Sequence, residues 1–350
     1  MFTRISDKKI NKLGRCIVQK DYSEFFWTGS GIEFITDTAN IILDVEAEYA
    51  GLDIWLTVEV NGALVQRVML LPGKNRIGIL HSMEEGKDKR VRILKETQLD
   101  VDAPHYVRFL GLTDFEGNEI SLKEPPHYDM QIDFYGDSLT TGEGLYGKEG
   151  EMDFAAVYMG FRNGYARITS DVLNANYRVC SQSGWGVKSG FDNCILKTIP
   201  SIYKYTDGKS IQYDFASNQA DFVVINLGTN DWGAFNSEAW ISPEGKMYKL
   251  RLDENKKAYP EDAEKFIEAA VAFLNELQVK YRDSKFVWMI GMCPNGIHEY
   301  IRTAISRCSE PERVRFLEVE SSVDYGSREH PGPIGHRDAA DKLIQCIKSF

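Results

Sequence analysis

The chain has 350 residues, 43% of them hydrophobic and 27% charged, and a formal net charge of -11. That length suggests about two domains, each able to bury a core. The acidic balance argues against a general affinity for nucleic-acid phosphates, which relies on clustered Lys and Arg. No apolar stretch approaches the roughly 20 residues that a bilayer span requires, so neither nucleic acid nor membrane is an expected partner.

Residues 1–14 are polar and basic and lack the apolar segment of a secretory signal, which sets the expectation of a cytoplasmic protein. The six cysteines, at 16, 180, 194, 293, 308 and 346, have no close pair of the kind that binds zinc. They read as reduced, structural thiols. From residue 16 to about 122 the pattern is short and strand-like, with Ile54, Leu56, Val58 and Val60 on one face and Trp55, Thr57 and Glu59 on the other. Asn61-Gly62 has the chemistry of a two-residue hairpin turn. This part reads as a β-sandwich.

Lys123-Glu124-Pro125-Pro126-His127 combines charge with two prolines, which can neither donate to a sheet nor continue a helix, and marks a boundary. The expected domains are therefore 1–125 and 126–350. Beyond the boundary, apolar runs at 130–134, 222–227 and 286–292 alternate with helical segments. One of these places Phe266, Ala269, Ala270, Phe273, Leu274 and Leu277 on one stripe behind Pro260, Glu261 and Asp262. Such alternation implies a parallel sheet covered on both faces, with ligands bound beyond the carboxyl ends of its strands. Residues 232–259, the least regular segment, are expected to wall the site.

Four motifs fall at such ends. Ser138 follows the first run in Tyr135-Gly136-Asp137-Ser138-Leu139; Ser183-Gly184-Trp185-Gly186 comes next, then Gly228-Thr229-Asn230-Asp231, and finally His330-Pro331 ahead of a helix carrying Ala340, Leu343, Ile344 and Ile347. A serine needs a positioned base to act as a nucleophile at neutral pH, and His330 stands out among the six histidines. A tetrahedral intermediate needs donors for its oxyanion, and the Ser138 and Gly184 N–H groups with the Asn230 amide supply a set. Taken singly, each motif is a common turn: Asn-Asp after a strand, a glycine pair, or a His-Pro loop.

Together and in this order, Gly136-Asp137-Ser138-Leu139, Gly184, Gly228-Thr229-Asn230-Asp231 and His330-Pro331 resemble the four signature blocks of the SGNH (GDSL-type) hydrolases, over roughly residues 129–350. The two-part layout, Trp27-Thr28-Gly29-Ser30-Gly31-Ile32-Glu33-Phe34, and Leu173-Asn174-Ala175-Asn176-Tyr177 leading to Ser183-Gly184-Trp185-Gly186-Val187 resemble carbohydrate esterase family two. That resemblance implies an N-terminal jelly-roll sandwich joined to an α/β SGNH-hydrolase domain, and removal of acetyl groups from sugars such as xylan. It assigns Ser138 as nucleophile, His330 as base, and Ser138, Gly184 and Asn230 as oxyanion donors, with Asp137 a structural carboxylate at the turn.

The sequence departs from the SGNH pattern at one place. The acid three residues before the base is Ser327 here, leaving Asp324, Glu329 or a backbone carbonyl to orient a Ser-His dyad. Trp185 and Trp232 are candidate sugar-stacking residues, and Trp240 reads as a packing residue. The leading expectation is a serine esterase acting on a small acetylated carbohydrate, with no cofactor and no metal, since neither a phosphate cradle nor a ligand cluster appears. Two alternatives remain open: a lipid esterase or thioesterase on the same domain, and an inactive carbohydrate-binding protein.

Overall fold

The computed structural model describes residues 2–350. Two antiparallel sheets occupy residues 3–113. One has the strand order Cys16–Val18, Ser23–Phe25, Tyr106–Thr113, Ile41–Glu48 and Gly73–Leu80, with Thr3–Arg4 paired to Tyr106–Thr113. The other runs Asn11–Leu13, Gly31–Thr36, Lys89–Lys95, Trp55–Val60 and Ala63–Met69. Phe25, Phe34, Leu43, Val45, Leu56, Val58, Ile93 and Phe109 interdigitate between them in one core. This is the jelly-roll sandwich. The Asn61-Gly62 turn forms as expected: Val60 pairs with Ala63, and the two central residues take φ of 50° and 83°, the signs a tight hairpin demands.

The alternation in Trp55–Val60 has an outcome that periodicity does not contain. Leu56, Val58 and Val60 are buried in the sandwich, but Thr57 and Glu59 on the opposite face are buried as well. The C-terminal half covers that face: Arg167 Nη2 lies 2.7 Å from Glu59 Oε2. Arg15, fully buried, donates to the Tyr135 hydroxyl at 2.7 Å and to the Tyr203 carbonyl, with its guanidinium 3.9 Å from the Tyr213 ring centre. The sandwich and the C-terminal half therefore share a desolvated polar contact in which each buried charge has partners.

Residues 114–129 carry neither helix nor strand. The parallel sheet then follows in the order Ala175–Ser181, Met130–Gly136, Phe222–Asn226, Lys285–Met292, Val314–Ser321. Three of its strands are the apolar runs read from sequence; the two edge strands alternate too weakly to be legible. Helix Pro260–Lys280 begins on its proline and buries Phe266, Ala270, Phe273, Leu274 and Leu277. Helix Pro333–Lys348 buries Ala340, Leu343, Ile344 and Ile347. All six cysteines are free thiols. Among the described residues no helix is long and apolar enough to cross a membrane, and no group of three or more His, Cys, Asp or Glu is arranged to hold a metal ion.

His336, inside the last helix, accepts the Tyr165 N–H on Nδ1 at 3.1 Å and is fully buried. Burial, with the nearby His330 adding to it, pushes its pKa down to about 3. The unfolded chain takes up a proton near pH 6.5 that the folded site refuses. The contribution of His336 is thus complete above that pH and is lost as pH falls toward 3. Asp137 and Asp231, whose pKa values are raised, act with the opposite sign, so the comparison with His336→Gln isolates the histidine. Between about pH 7 and 4 the parent should lose denaturant stability more steeply than His336→Gln, by up to about 1.4 kcal/mol per pH unit. Parallel slopes would refute this.

Candidate active site

Strand Met130–Gly136 lies inside the parallel sheet, and the chain turns sharply at its carboxyl end. A Cβ on Gly136 would overlap Thr140 Oγ1, so only glycine lets helix Ser138–Thr141 fold back this closely. Asp137 caps that helix, its Oδ1 accepting the Leu139 N–H at 3.0 Å. Ser138 is thereby presented to a cavity of about 330 Å³ that Glu143, Ser183, Gly184, Asn230, Arg328 and His330 also line. The serine and the histidine, far apart in the chain, face one cavity, although no hydrogen bond joins their side chains.

The loop after strand Ala175–Ser181 is defined by where its N–H groups go. Gln182 N–H donates to Gly136 O, Ser183 N–H to Gln98 Oε1, Trp185 N–H to Gln182 O and Gly186 N–H to Lys197 O. The N–H groups of Val187, Lys188 and Ser189 all converge on the Asp231 carboxylate at 2.9, 2.7 and 3.2 Å. Between Gln182 and Ser189, Gly184 alone keeps an uncommitted N–H, and it lines the cavity. Its φ of 78° is a left-handed conformation that suits glycine. The Ser138 N–H, at the first position of its helix, is likewise uncommitted. These are two donors held ready for developing negative charge.

Asn230 also lines the cavity, but its amide nitrogen donates to Asp137 Oδ2 at 3.1 Å and to the Trp185 carbonyl at 3.0 Å. An amide NH₂ has two hydrogens, so both are engaged. Asn230, expected from sequence as an oxyanion donor, thereby ties the nucleophile turn to the glycine loop, with both amide hydrogens engaged in this arrangement.

His330 follows a tight turn at Ser327–Glu329. Its Nδ1 lies 2.8 Å from the Arg328 carbonyl oxygen. A carbonyl only accepts, so Nδ1 carries the proton and Nε2 is the basic nitrogen. Arg328 and Glu329 both adopt positive φ, 55° and 57°, a strained pair for non-glycine residues that aims this carbonyl at the ring. Bonds from Ser327 N–H to Gly144 O and from Arg328 N–H to Glu151 O stitch the histidine loop to the segment after the nucleophile.

The orienting acids proposed from sequence are not the ring's partners. Asp324 accepts from the Ile334 and Gly335 N–H groups at 3.0 and 2.9 Å. Burial opposes its ionisation, yet these N–H groups and the Ser322 hydroxyl hold its carboxyl below the usual range. It caps the last helix. Glu329 makes no hydrogen bond to the imidazole. The carboxylate facing His330 is Glu143, whose Oε2 is 3.8 Å from Nε2 while its Oε1 accepts from Arg328 Nε at 2.7 Å. Sequence reasoning missed it because it belongs to no motif and approaches only through tertiary folding.

No family model matches the chain. It is 30% identical over 290 residues to an acetylxylan esterase / glucomannan deacetylase of Cellvibrio japonicus, covering 79% of this chain and 73% of that one. The chain belongs to carbohydrate esterase family two. A solved acetyl xylan esterase from the rumen bacterium Butyrivibrio proteoclasticus superposes with a TM-score of 0.95 at 32% identity, over 100% of this chain and 98% of that one. A family two carbohydrate esterase from Clostridium thermocellum, solved with cellohexaose, shares the fold at a TM-score of 0.80 and 22% identity, over 97% and 98%. The chain spans 37% of the length of one curated relative and 73% of another.

In this member of family two the cavity walls are Phe154 and Phe191, 47% and 48% exposed. Trp185 and Trp232, expected from sequence to bind substrate, do not line it: both are half-buried against the hydrophobic core, Trp232 with its ring centre 5.7 Å from that of Phe235. Nor does the 232–259 segment form a wall. Trp240 pairs with Tyr248, ring centres 5.6 Å apart, in a small hairpin. Asp137 accepts the Leu139 N–H and the Asn230 amide. Burial pushes its carboxyl up to about 7, against the Leu139 N–H and with Asp231 and Glu143 adding to the rise.

Proposed function

We propose that this protein is a serine esterase that removes O-acetyl groups from carbohydrates, xylan-derived oligosaccharides among them. The observation that carries the reading is the uncommitted Gly184 N–H, set on an otherwise fully bonded loop in one cavity with Ser138 and His330. Ser138 Oγ attacks the acetyl carbonyl as His330 Nε2 takes its proton. The oxyanion receives the Ser138 and Gly184 N–H groups. Collapse expels the sugar oxygen, which takes the proton back from His330, and water then cleaves the acetyl-serine by the same route. The Arg328 carbonyl holds the tautomer, and Glu143, 3.8 Å from Nε2, favours the transient imidazolium.

Phe154 and Phe191 offer faces on which a sugar ring can stack. The purified protein should release acetate from acetylated xylo-oligosaccharides and show little activity on esters of acyl chains longer than about four carbons, since a cavity of about 330 Å³ must hold the acyl group beside the sugar. Faster turnover of long-chain esters would replace this reading with a lipid esterase. Failure of a fluorophosphonate to label Ser138 would favour a binding protein.

A further inference from the structure

Residues 95–99, Lys-Glu-Thr-Gln-Leu, are largely polar, yet every one is buried. They end the sandwich strand Lys89–Lys95 and lie between the sandwich and the C-terminal half. The segment is held from both sides. Lys95 Nζ, fully buried, donates to the carbonyls of Thr97 and Gln98 at 2.6 and 2.9 Å and so fixes the turn between them. Thr28 Oγ1 donates to the Glu96 carbonyl at 2.9 Å, and Leu99 packs into the core beneath the parallel sheet. On this anchor Gln98, 3% exposed, places Oε1 2.9 Å from the Ser183 nitrogen and accepts its N–H.

Ser183 immediately precedes Gly184. The peptide that carries the uncommitted Gly184 N–H is the Ser183–Gly184 peptide, so its plane follows from where Ser183 is held. Toward its start the loop is held by Gln182 N–H to Gly136 O, and toward its end by the Asp231 carboxylate. Gln98 is the side chain that holds Ser183, on the near side of the Gly184 N–H, and it comes from the sandwich; Asn230 holds the Trp185 carbonyl on the far side.

We infer that Gln98 is a positioning residue for the oxyanion site, so that the N-terminal sandwich is a working part of the esterase and not only a neighbour of it. The inference rests on the proposed serine-esterase reading. Gln98 touches no reacting atom; it acts by aiming the Gly184 N–H. An oxyanion donor displaced by a fraction of an ångström loses transition-state stabilisation while the sugar contacts, made elsewhere in the cavity, are retained.

The test compares two variants with the parent. Gln98→Met keeps the volume and removes the acceptor, and Gln98→Asn draws the acceptor back by one methylene. With 4-nitrophenyl acetate and acetylated xylose, Gln98→Met should lower kcat by about tenfold or more with KM within about twofold, and should slow fluorophosphonate labelling of Ser138 in the same proportion. If Gln98→Met does not fold, Gln98→Asn carries the same expectation. A folded variant that lacks the bond and keeps parental kcat overturns the inference, as does a loss that falls on KM and spares kcat. Those outcomes leave an active parent, whereas a parent that releases no acetate sinks the esterase reading itself.

Discussion

Replacing Ser138 by alanine is expected to bring acetate release to background, a loss of about ten-thousand-fold or more, without disturbing the fold. The second half of that expectation comes from the structure. The Ser138 hydroxyl has no hydrogen-bond partner among the described residues, so its removal leaves no buried group unpaired, whereas Asp137 beside it caps the turn and receives Asn230. The melting temperature of Ser138→Ala should match the parent's. His330→Ala should lose activity to a similar degree, and the double variant should lose no more than the worse single one, because a nucleophile and its base act as a unit. Additive losses would show that the two do not work on the same proton. Residual activity above about one part in a hundred in Ser138→Ala would move the nucleophile elsewhere.

The second large effect concerns the missing acid. Writing an aspartate at 327 restores the SGNH spacing on paper, and the expected result is a damaged protein and not a faster one. Ser327 is fully buried. A Cβ on Gly147 would overlap its side chain, and one on Gly144 would overlap its carbonyl, so the two segments meet with no room between them. His330 Nδ1 already has its acceptor in the Arg328 carbonyl. A carboxylate at 327 would be buried without a cation or a free N–H. That arrangement costs about 3 to 5 kcal/mol, in line with leaving a buried charge uncompensated. Ser327→Asp should unfold at correspondingly lower urea concentration with kcat no higher than the parent's. A stable variant with raised kcat would show that the backbone carbonyl is a poor substitute for the acid.

The site was legible to different depths in its different parts. Ser138, Gly184 and His330 could be read because each belongs to a short local pattern at the end of a strand, and local patterns survive in one dimension. Glu143 could not: in sequence it is one residue of Gly142-Glu143-Gly144, and nothing local says that the chain after the nucleophile doubles back under residues 327–330. Trp185 and Trp232 were assigned to substrate because indoles near motif loops suit sugars, yet the residue type does not say which way a ring faces. The core claimed both, and the cavity walls went to Phe154 and Phe191.

Asn230 shows the same limit from the other direction. Its position beside the cavity was readable, but the engagement of both its amide hydrogens by Asp137 and Trp185 depends on three loops meeting.

What the sequence by itself determined is the order of elements and the chemistry each could offer: alternating strands with an Asn-Gly hairpin, then apolar runs separated by helical stripes, with a serine, a glycine, an asparagine and a histidine at their ends. Periodicity of 2 and 3.6, turn residues and strand ends are properties of neighbours along the chain. Only the tertiary structure decided which acceptor holds His330, which N–H stays free, and that a glutamine from the sandwich braces the loop carrying it. Those outcomes depend on how buried donors and acceptors are brought together by folding. Each buried polar group needs a partner, and which one it finds follows from packing between distant segments, Gln98 against Ser183 and residues 144–151 against 327–328 among them.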